Sequence, residues 1–214
     1  MKQLSFVVLA ASIVLAACCK SETEEPEQAA APQPATAAPG PESFTWTDAP
    51  TLESIPSKPA QGEANGKPMK IETVVFEPSN DAWRLILSDK RFDSPTAIMM
   101  GGQSVNISLT EEPAAGRTMT RKAEYGGGYF QINKVDNPSE TTSWNGTNSW
   151  VIQITKWEVK PYDPAGEMFQ EAGKASGRVV VVYQAGADFK NSWVAGTFED
   201  ATVRYMGKPS WVKG

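Results

Sequence analysis

The stretch Gly177–Gln184, which reads GRVVVVYQ, decides the fold class of this chain. Four consecutive valines, Val179 to Val182, carry β-branched side chains, and such side chains favour extended strands. Because neighbouring side chains on a strand point to opposite faces, an unbroken apolar run indicates burial on both faces. We therefore expect a central strand here.

The segments on either side of this stretch predict two long, bent strands. In Ser149–Lys160 the apolar side chains alternate as far as Ile154, and the alternation then shifts by one position before Trp157. Ser192–Tyr205 shows a similar shift at Glu199–Asp200. An extra residue in one strand of a pair produces such a change of phase, so we expect a β-bulge in each segment.

From Ser43 onward, short apolar runs alternate with clusters of Gly, Pro, Asn and Asp, a texture typical of many short strands. One short helix is expected between Asp163, which can cap it, and Gly173, which can end it. The predicted fold is all-β, an antiparallel two-sheet β-sandwich with one short helix, and an eight-stranded β-barrel is the alternative. Strands are predicted at Met69–Glu77, Ala82–Ser88, Thr96–Met100, Ser104–Thr110, Gly128–Lys134, Ser149–Lys160, Gly177–Gln184 and Ser192–Tyr205, with a weaker candidate at Thr45–Leu52.

The composition narrows the possible chemistry. The only two cysteines are Cys18 and Cys19, and there is no histidine, so the folded part offers no disulfide, no Cys-based zinc site and no thiol nucleophile. We therefore predict no catalytic residue, no metal site and no cofactor. The net charge of −5 also argues against nucleic acid as a partner, because phosphate backbones repel acidic proteins.

The chain before Ser43 divides into a leader and a tether. Residues 18–42 consist mainly of Ala, Pro and acidic residues, with almost no large apolar side chain, and such a segment is expected to be a disordered spacer. Residues 1–17 begin with Lys2 and continue with the apolar run Leu4–Leu15, which is too short to span a bilayer but fits a secretory signal. The remaining residues, 43–214, are expected to form a single β-rich globular domain.

The end of the leader reads Leu15-Ala16-Ala17-Cys18 and resembles the lipobox of bacterial lipoprotein precursors. This resemblance implies that the thiol of Cys18 receives a diacylglyceryl group, that cleavage follows Ala17, and that the new amine is acylated. A thiol is required because it is the nucleophile that forms the thioether. The next residue, Cys19, is not the Asp that retains such proteins in the inner membrane, which favours the outer membrane in an organism with two membranes.

Aromatic residues in a polar segment suggest a glycan contact. Trp144 lies in Thr141–Asn148 (TTSWNGTN), which predicts a loop between strands. An indole ring there can stack on a sugar, while Asn145 and Asn148 form hydrogen bonds with its hydroxyl groups. The alternative is that such a ring folds back to cap the open end of the domain, where it buries a large apolar area.

Tyr125 and Tyr129 extend this predicted contact from a neighbouring segment. They flank the glycines Gly126–Gly128, which predict a tight turn rather than a phosphate loop, because no Lys-Ser/Thr pair follows them. Together with the residues around Trp144, the two tyrosines complete the predicted set of glycan-contacting side chains.

These patterns support a membrane-anchored bacterial envelope lipoprotein whose domain is a non-enzymatic binding or structural module with a protein or glycan partner. A carboxylate-based glycan hydrolase is the first alternative, because carboxylates are the acid/base groups present in quantity. A small-ligand carrier barrel is the second. The carboxylates considered for hydrolysis are those of Glu158, Asp163, Glu167, Glu199 and Asp200.

Overall fold

The computed structural model describes residues 42–92, 94–95, 102–134 and 140–213. The leader, Cys18, the tether as far as Pro41 and the predicted strand Thr96–Met100 lie outside the described residues. Within them the structure is nearly all β, as the sequence predicts, and its one helical element is a 3-10 turn at Leu52–Ser54. The strands are β1 (Gln61–Ala64), β2 (Lys67–Lys70), β3 (Thr73–Ser79), β4 (Ala82–Ser88), β5 (Ser104–Ser108), β6 (Thr118–Tyr125), β7 (Gly128–Asn133), β8 (Thr141–Trp144), β9 (Thr147–Val159), β10 (Phe169–Tyr183) and β11 (Ser192–Met206).

The strands form one curled, mixed sheet rather than the predicted two-sheet sandwich. Its order is β6-β9-β10-β11-β3-β4-β5-β7-β8, and β1 joins β11 and β2 beside this path. The sheet forms a half-barrel, so the eight-stranded barrel is not what forms either. The prediction of a purely antiparallel sheet is also wrong at one place, because β11 pairs with β3 in parallel.

The predicted helix between Asp163 and Gly173 is wrong. Residues 160–168 form a loop and β10 begins at Phe169. Pairing with β11 from Phe169 onward, and with β9 from Gly173 onward, overrides the local helical signals. Met168, which a helix would turn towards the core, is exposed. Gly173 lies within β10 instead of ending a helix. Glycine is needed there because a Cβ atom would lie 1.9 Å from the carbonyl oxygen of Glu158.

The central position of the valine run is confirmed. Val179 and Val181 belong to the larger core cluster, on what we call the inner face of the sheet. Val180 and Val182 point to the outer face and pack with Phe44 and Ile55 of the segment that precedes β1. This segment includes the weaker strand candidate Thr45–Leu52, which forms no strand and instead covers β10.

Both predicted bulges are confirmed. On β9 the partners change from Lys156 with Ser176 to Ile154 with Gly177, so Thr155 is the extra residue. On β11, Glu199 and Asp200 together lie opposite Ser176. The backbone of Asp200 has a φ of +48°, and its N–H donates to the hydroxyl of Ser176 at 3.1 Å. The extra residues bend both strands, as the change of phase in the sequence indicates.

The inside of the curl is filled with side chains. The largest fully buried ones on the inner face include Trp150, Tyr183, Phe76 and Phe130, and each has almost no exposed surface. Close packing of such large groups gives the sheet its hydrophobic core.

A buried group of charges lies on the outer face of β3, β4 and β11. Glu77 accepts hydrogen bonds from Arg84 and from Arg204, the latter over 2.8 Å, and both Glu77 and Arg204 are buried. Arg204 also donates to the carbonyl oxygen of Pro95 at 3.1 Å and lies over the ring of Phe92. Because charges removed from water need close partners, the removal of one member of this group is expected to destabilise the protein strongly.

Candidate functional site

Trp144 adopts the capping role that was the alternative to sugar stacking. It ends β8 rather than lying in a loop, and only 6% of its surface is exposed. Its ring packs against Tyr183, with centroids 5.5 Å apart, and stacks on Phe189 at 4.8 Å. Because these side chains cover the ring of Trp144, it has no free face on which a sugar can stack.

The other residues of the predicted glycan contact lie in different environments. Asn148 is buried on β9, and its amide nitrogen donates to the carbonyl oxygens of Gly126 at 2.6 Å and Gly146 at 3.0 Å. Asn145 is exposed in the turn between β8 and β9. The predicted glycine turn is confirmed, since Gly126 and Gly127 both have positive φ between β6 and β7.

The two tyrosines that flank this turn also differ in exposure. Tyr125, at the end of β6, is 70% exposed, whereas Tyr129 is half-buried on β7 and pairs with Asn106 of β5. Asn148 therefore lies against the turn that follows Tyr125, but its amide donates to the backbone carbonyl oxygens of Gly126 and Gly146. Tyr125 and Asn145 keep the exposure that a glycan contact requires.

Beneath this turn lies a buried hydroxyl group without a partner. The hydroxyl of Tyr183 is fully enclosed, and no described group is within hydrogen-bonding distance. Burial raises the pKa of Tyr183 well above its ordinary value, because an ionised oxygen would have no water around it. An unpaired buried hydroxyl costs free energy that a purely apolar ring does not.

We expect Tyr183→Phe to stabilise the protein by about 1 kcal/mol, since it removes the unpaired hydroxyl and keeps the ring. Urea denaturation measures this change. Tyr205→Phe is the matched control: the Tyr205 hydroxyl donates to the carbonyl oxygen of Lys160 at 3.2 Å, so its loss is expected to destabilise by a similar amount. A loss of stability in Tyr183→Phe would contradict the prediction and indicate an ordered water molecule at the hydroxyl.

The carboxylates considered for glycan hydrolysis are all exposed. Glu158 and Asp200 share one cation, since the ammonium group of Lys156 lies 3.2 Å from the first and 3.7 Å from the second. The hydrogen bond to Glu158 is the main reason why the pKa of Lys156 is raised. Asp163 and Glu167 lie in the loop before β10. Lys156 thus occupies the space between two of the acidic groups.

Glu199 lines a cleft of about 450 Å³ between β3 and β11, together with Asp200 and Glu72. The carboxylate of Glu72 forms ion pairs with Lys70 at 2.5 Å and with Arg91 at 3.6 Å. The hydrogen bond from Lys70 and its positive charge lower the pKa of Glu72. A general acid for glycoside cleavage needs a raised pKa, so Glu72 is poorly suited to that role.

A second pocket combines an exposed aromatic ring with carboxylates. It encloses about 340 Å³ and is formed by the start of β4, the segment after β5 and the C-terminal segment after β11. We call it the Trp83–Trp211 pocket. It is lined by Asp81, Ala82, Trp83, Leu109, Thr110, Glu111, Glu112 and Trp211.

The two indole rings have different supports. Trp83 is 7% exposed and packs against Trp157 and Tyr205 of the core, with centroid distances of 5.5 and 5.8 Å. Trp211 is 42% exposed. The centroid of its ring lies 5.8 Å from that of Trp83, and the two ring planes are inclined by 43°. Next to it, Ser210 donates from its hydroxyl to the carbonyl oxygen of Asn80 at 2.9 Å. This bond ties the C-terminal segment to the turn before β4.

The charged residues that line the pocket are all acidic. Glu112 lies close enough to Tyr205 to raise its pKa further, beyond the larger effect of burial. Arg117 lies 3.5 Å from the carboxylate of Glu111 and donates to the carbonyl oxygen of Glu112 at 2.7 Å. This arginine fixes the segment that carries both glutamates. The pocket thus presents an aromatic surface below a negatively charged rim.

Sequence reasoning missed this pocket because its two rings come from remote parts of the chain. Trp83 lies in a strand pattern that indicates a core residue, which it largely is, and Trp211 lies in a short polar segment with no periodicity. The available signal was the acidic pair Glu111-Glu112 directly after a predicted strand, but a charge run alone usually indicates a solvated surface.

Other types of site are not evident in the part of the chain that the structure describes. Residues 42–92, 94–95, 102–134 and 140–213 contain no group of three or more acidic side chains arranged to hold a metal ion. No helix among the described residues is long and apolar enough to cross a membrane. Comparison with models of protein families, with curated proteins and with solved structures finds no match for this chain.

Proposed function

We propose that this chain is a lipid-anchored lipoprotein of the bacterial cell envelope, in the outer membrane where there are two membranes. Its folded domain is a non-enzymatic module that binds a ligand in the Trp83–Trp211 pocket. The lipobox around Cys18 supports the anchor, and residues 18–42 serve as the spacer that holds the domain away from the bilayer.

The single observation that carries the binding function is the exposed ring of Trp211 beside acidic side chains in a defined pocket. A volume of about 340 Å³ lies at the lower end of the range for small-molecule sites. Exposed indole faces stack on sugar rings or cations, and carboxylates accept hydrogen bonds from hydroxyl or ammonium groups. A glycan or another polar envelope component therefore fits this pocket better than an apolar ligand.

Trp211→Ala is expected to weaken ligand binding about fivefold or more, because it removes the exposed stacking surface. The full-length lipidated protein, purified in detergent, is screened on an array of envelope oligosaccharides and small ammonium compounds. Affinities for the compounds that bind are then measured by calorimetry.

Tyr125→Ala is the matched control, because Tyr125 is an exposed aromatic residue of the contact predicted from sequence and lies outside the pocket. We expect it to leave binding unchanged. If Tyr125→Ala weakens binding and Trp211→Ala does not, the ligand site is at the β6–β7 turn and the pocket assignment is wrong. Absence of binding to every compound contradicts the proposed function.

A further inference from the structure

We infer that the ligand of the Trp83–Trp211 pocket presents a positively charged alkylammonium group, held between the indole rings and the acidic rim. This inference rests on the proposed binding function of the same pocket and names its ligand class. Three observations on the described residues support it: the aromatic wall, two carboxylates with no ion pair, and a lining without a cationic side chain.

The aromatic wall provides a surface that attracts cations. The face of an indole ring carries partial negative charge, and a cation within about 6 Å of its centre is attracted by roughly 0.5–2 kcal/mol, depending on exposure. Trp211 is partly exposed, and Trp83 lies 5.8 Å from it at an angle. An ammonium group in the pocket therefore contacts the exposed ring of Trp211, which Trp83 supports from the core side.

The rim supplies negative charge that the described part of the protein does not neutralise. Among the described residues, Glu111 has an ion pair, with Arg117, whereas the carboxylates of Asp81 and Glu112 have none. The described residues that line the pocket include no lysine or arginine. Two uncompensated carboxylates beside an exposed indole attract a cation and repel an anion.

The same arrangement disfavours a neutral sugar as the preferred ligand. A neutral hydroxyl group can donate to Asp81 or Glu112, but it leaves their charges uncompensated. An ammonium group with N–H donors makes charge-assisted hydrogen bonds with the same oxygens, and these are about twice as strong as neutral ones. A quaternary ammonium group has no N–H donor and is held by the charge attraction of the carboxylates and by the indole face. Discrimination between charged and uncharged ligands of equal shape is therefore the property to measure.

The test compares choline with 3,3-dimethylbutan-1-ol, which has nearly the same shape and no charge. Calorimetric titration of the full-length lipidated protein in detergent, at low salt, is expected to show choline binding at least about tenfold more tightly, because the indole face and the carboxylates attract its positive charge. Nα-acetyl-lysine methyl ester and glucosamine are titrated in parallel. They present the ammonium group of a peptide side chain and of an amino sugar, so the order of affinities identifies the source of the group.

Variants locate the interaction. Trp211→Ala is expected to lower the affinity for the best ammonium ligand about fivefold, and Trp211→Phe to restore part of it. The double variant Asp81→Asn/Glu112→Gln is expected to reduce both the preference over the neutral isostere and the dependence of affinity on salt, and to leave the part of the preference that the indole face contributes. Glu167→Gln, which removes an exposed carboxylate outside the pocket, is the control and should bind like the parent protein.

Equal binding of choline and its neutral isostere would overturn the inference. So would tight binding of neutral maltotetraose that depends on Trp211 while no ammonium compound binds, but the proposed binding function would then stand. If neither the ammonium compounds nor any oligosaccharide binds, the inference and the proposed function fail together.

Discussion

Cys18→Ser is expected to abolish incorporation of labelled palmitate and to move the protein from the membrane fraction to the soluble fraction. Each buried methylene of an acyl chain contributes about 0.8 kcal/mol, so two or three chains hold a protein in a bilayer with more than about 10 kcal/mol. Serine does not form the thioether that carries these chains. Labelling, fractionation and the mass of the N-terminal peptide measure the outcome.

Cys19→Ser is the matched control for this experiment, because it changes the neighbouring cysteine and leaves Leu15-Ala16-Ala17-Cys18 intact. It is expected to retain both the label and the membrane association. Persistent label in Cys18→Ser, or its loss in Cys19→Ser, would show that Cys18 is not the lipidated residue. The proposed anchor would then be wrong.

Glu77→Gln is expected to lower the free energy of unfolding by about 3 to 5 kcal/mol, the usual cost of removing one partner from a buried ion pair. Glu77 accepts hydrogen bonds from Arg84 and Arg204, and the side chain of Arg204 is only 3% exposed. Without the carboxylate, Arg84 and Arg204 lose the negative charge that they share. Because the three residues lie on three neighbouring strands, urea denaturation should show the loss as a shift of a single cooperative transition to lower urea concentration.

Two further variants make this prediction specific. Glu171→Gln removes a carboxylate from an exposed pair with Lys174 and is expected to cost less than about 1 kcal/mol. Replacing Glu77, Arg84 and Arg204 together by methionine is expected to cost less than Glu77→Gln alone, because the three charges that pair with one another are removed together. A loss in Glu77→Gln as small as that in Glu171→Gln would contradict the prediction.

The strands that the sequence predicted well are those with a strong apolar alternation. The segment Ala82–Ser88 has the same bounds in the structure as in the prediction, and both bulges lie where the alternation changes phase. By contrast, β6 was missed, because most of its residues are exposed and an edge strand needs no continuous apolar face. Its pairing with β9, rather than its own sequence, makes it a strand.

The first half of β10 was missed for a different reason. Phe169–Ser176 follows a Pro and a Gly and contains side chains spaced as in a helix, but both neighbouring strands offer hydrogen bonds that a helix would leave unused. The number of sheets could likewise not be predicted from local sequence patterns. An apolar alternation reports which face of a strand is buried, and it does not report whether a second sheet or the curl of the same sheet covers that face.

The sequence by itself determined the all-β class, the central valine strand and the positions of the bulges, and it predicts lipidation at Cys18. These features depend on side chains a few positions apart, whose spacing the chain carries directly. Only the tertiary structure decided that Trp144 caps the core, that Glu77 joins Arg84 and Arg204, and that Trp83 and Trp211 share a pocket. Those contacts join remote segments, and they exist only once the register and curl of the whole sheet place the side chains together.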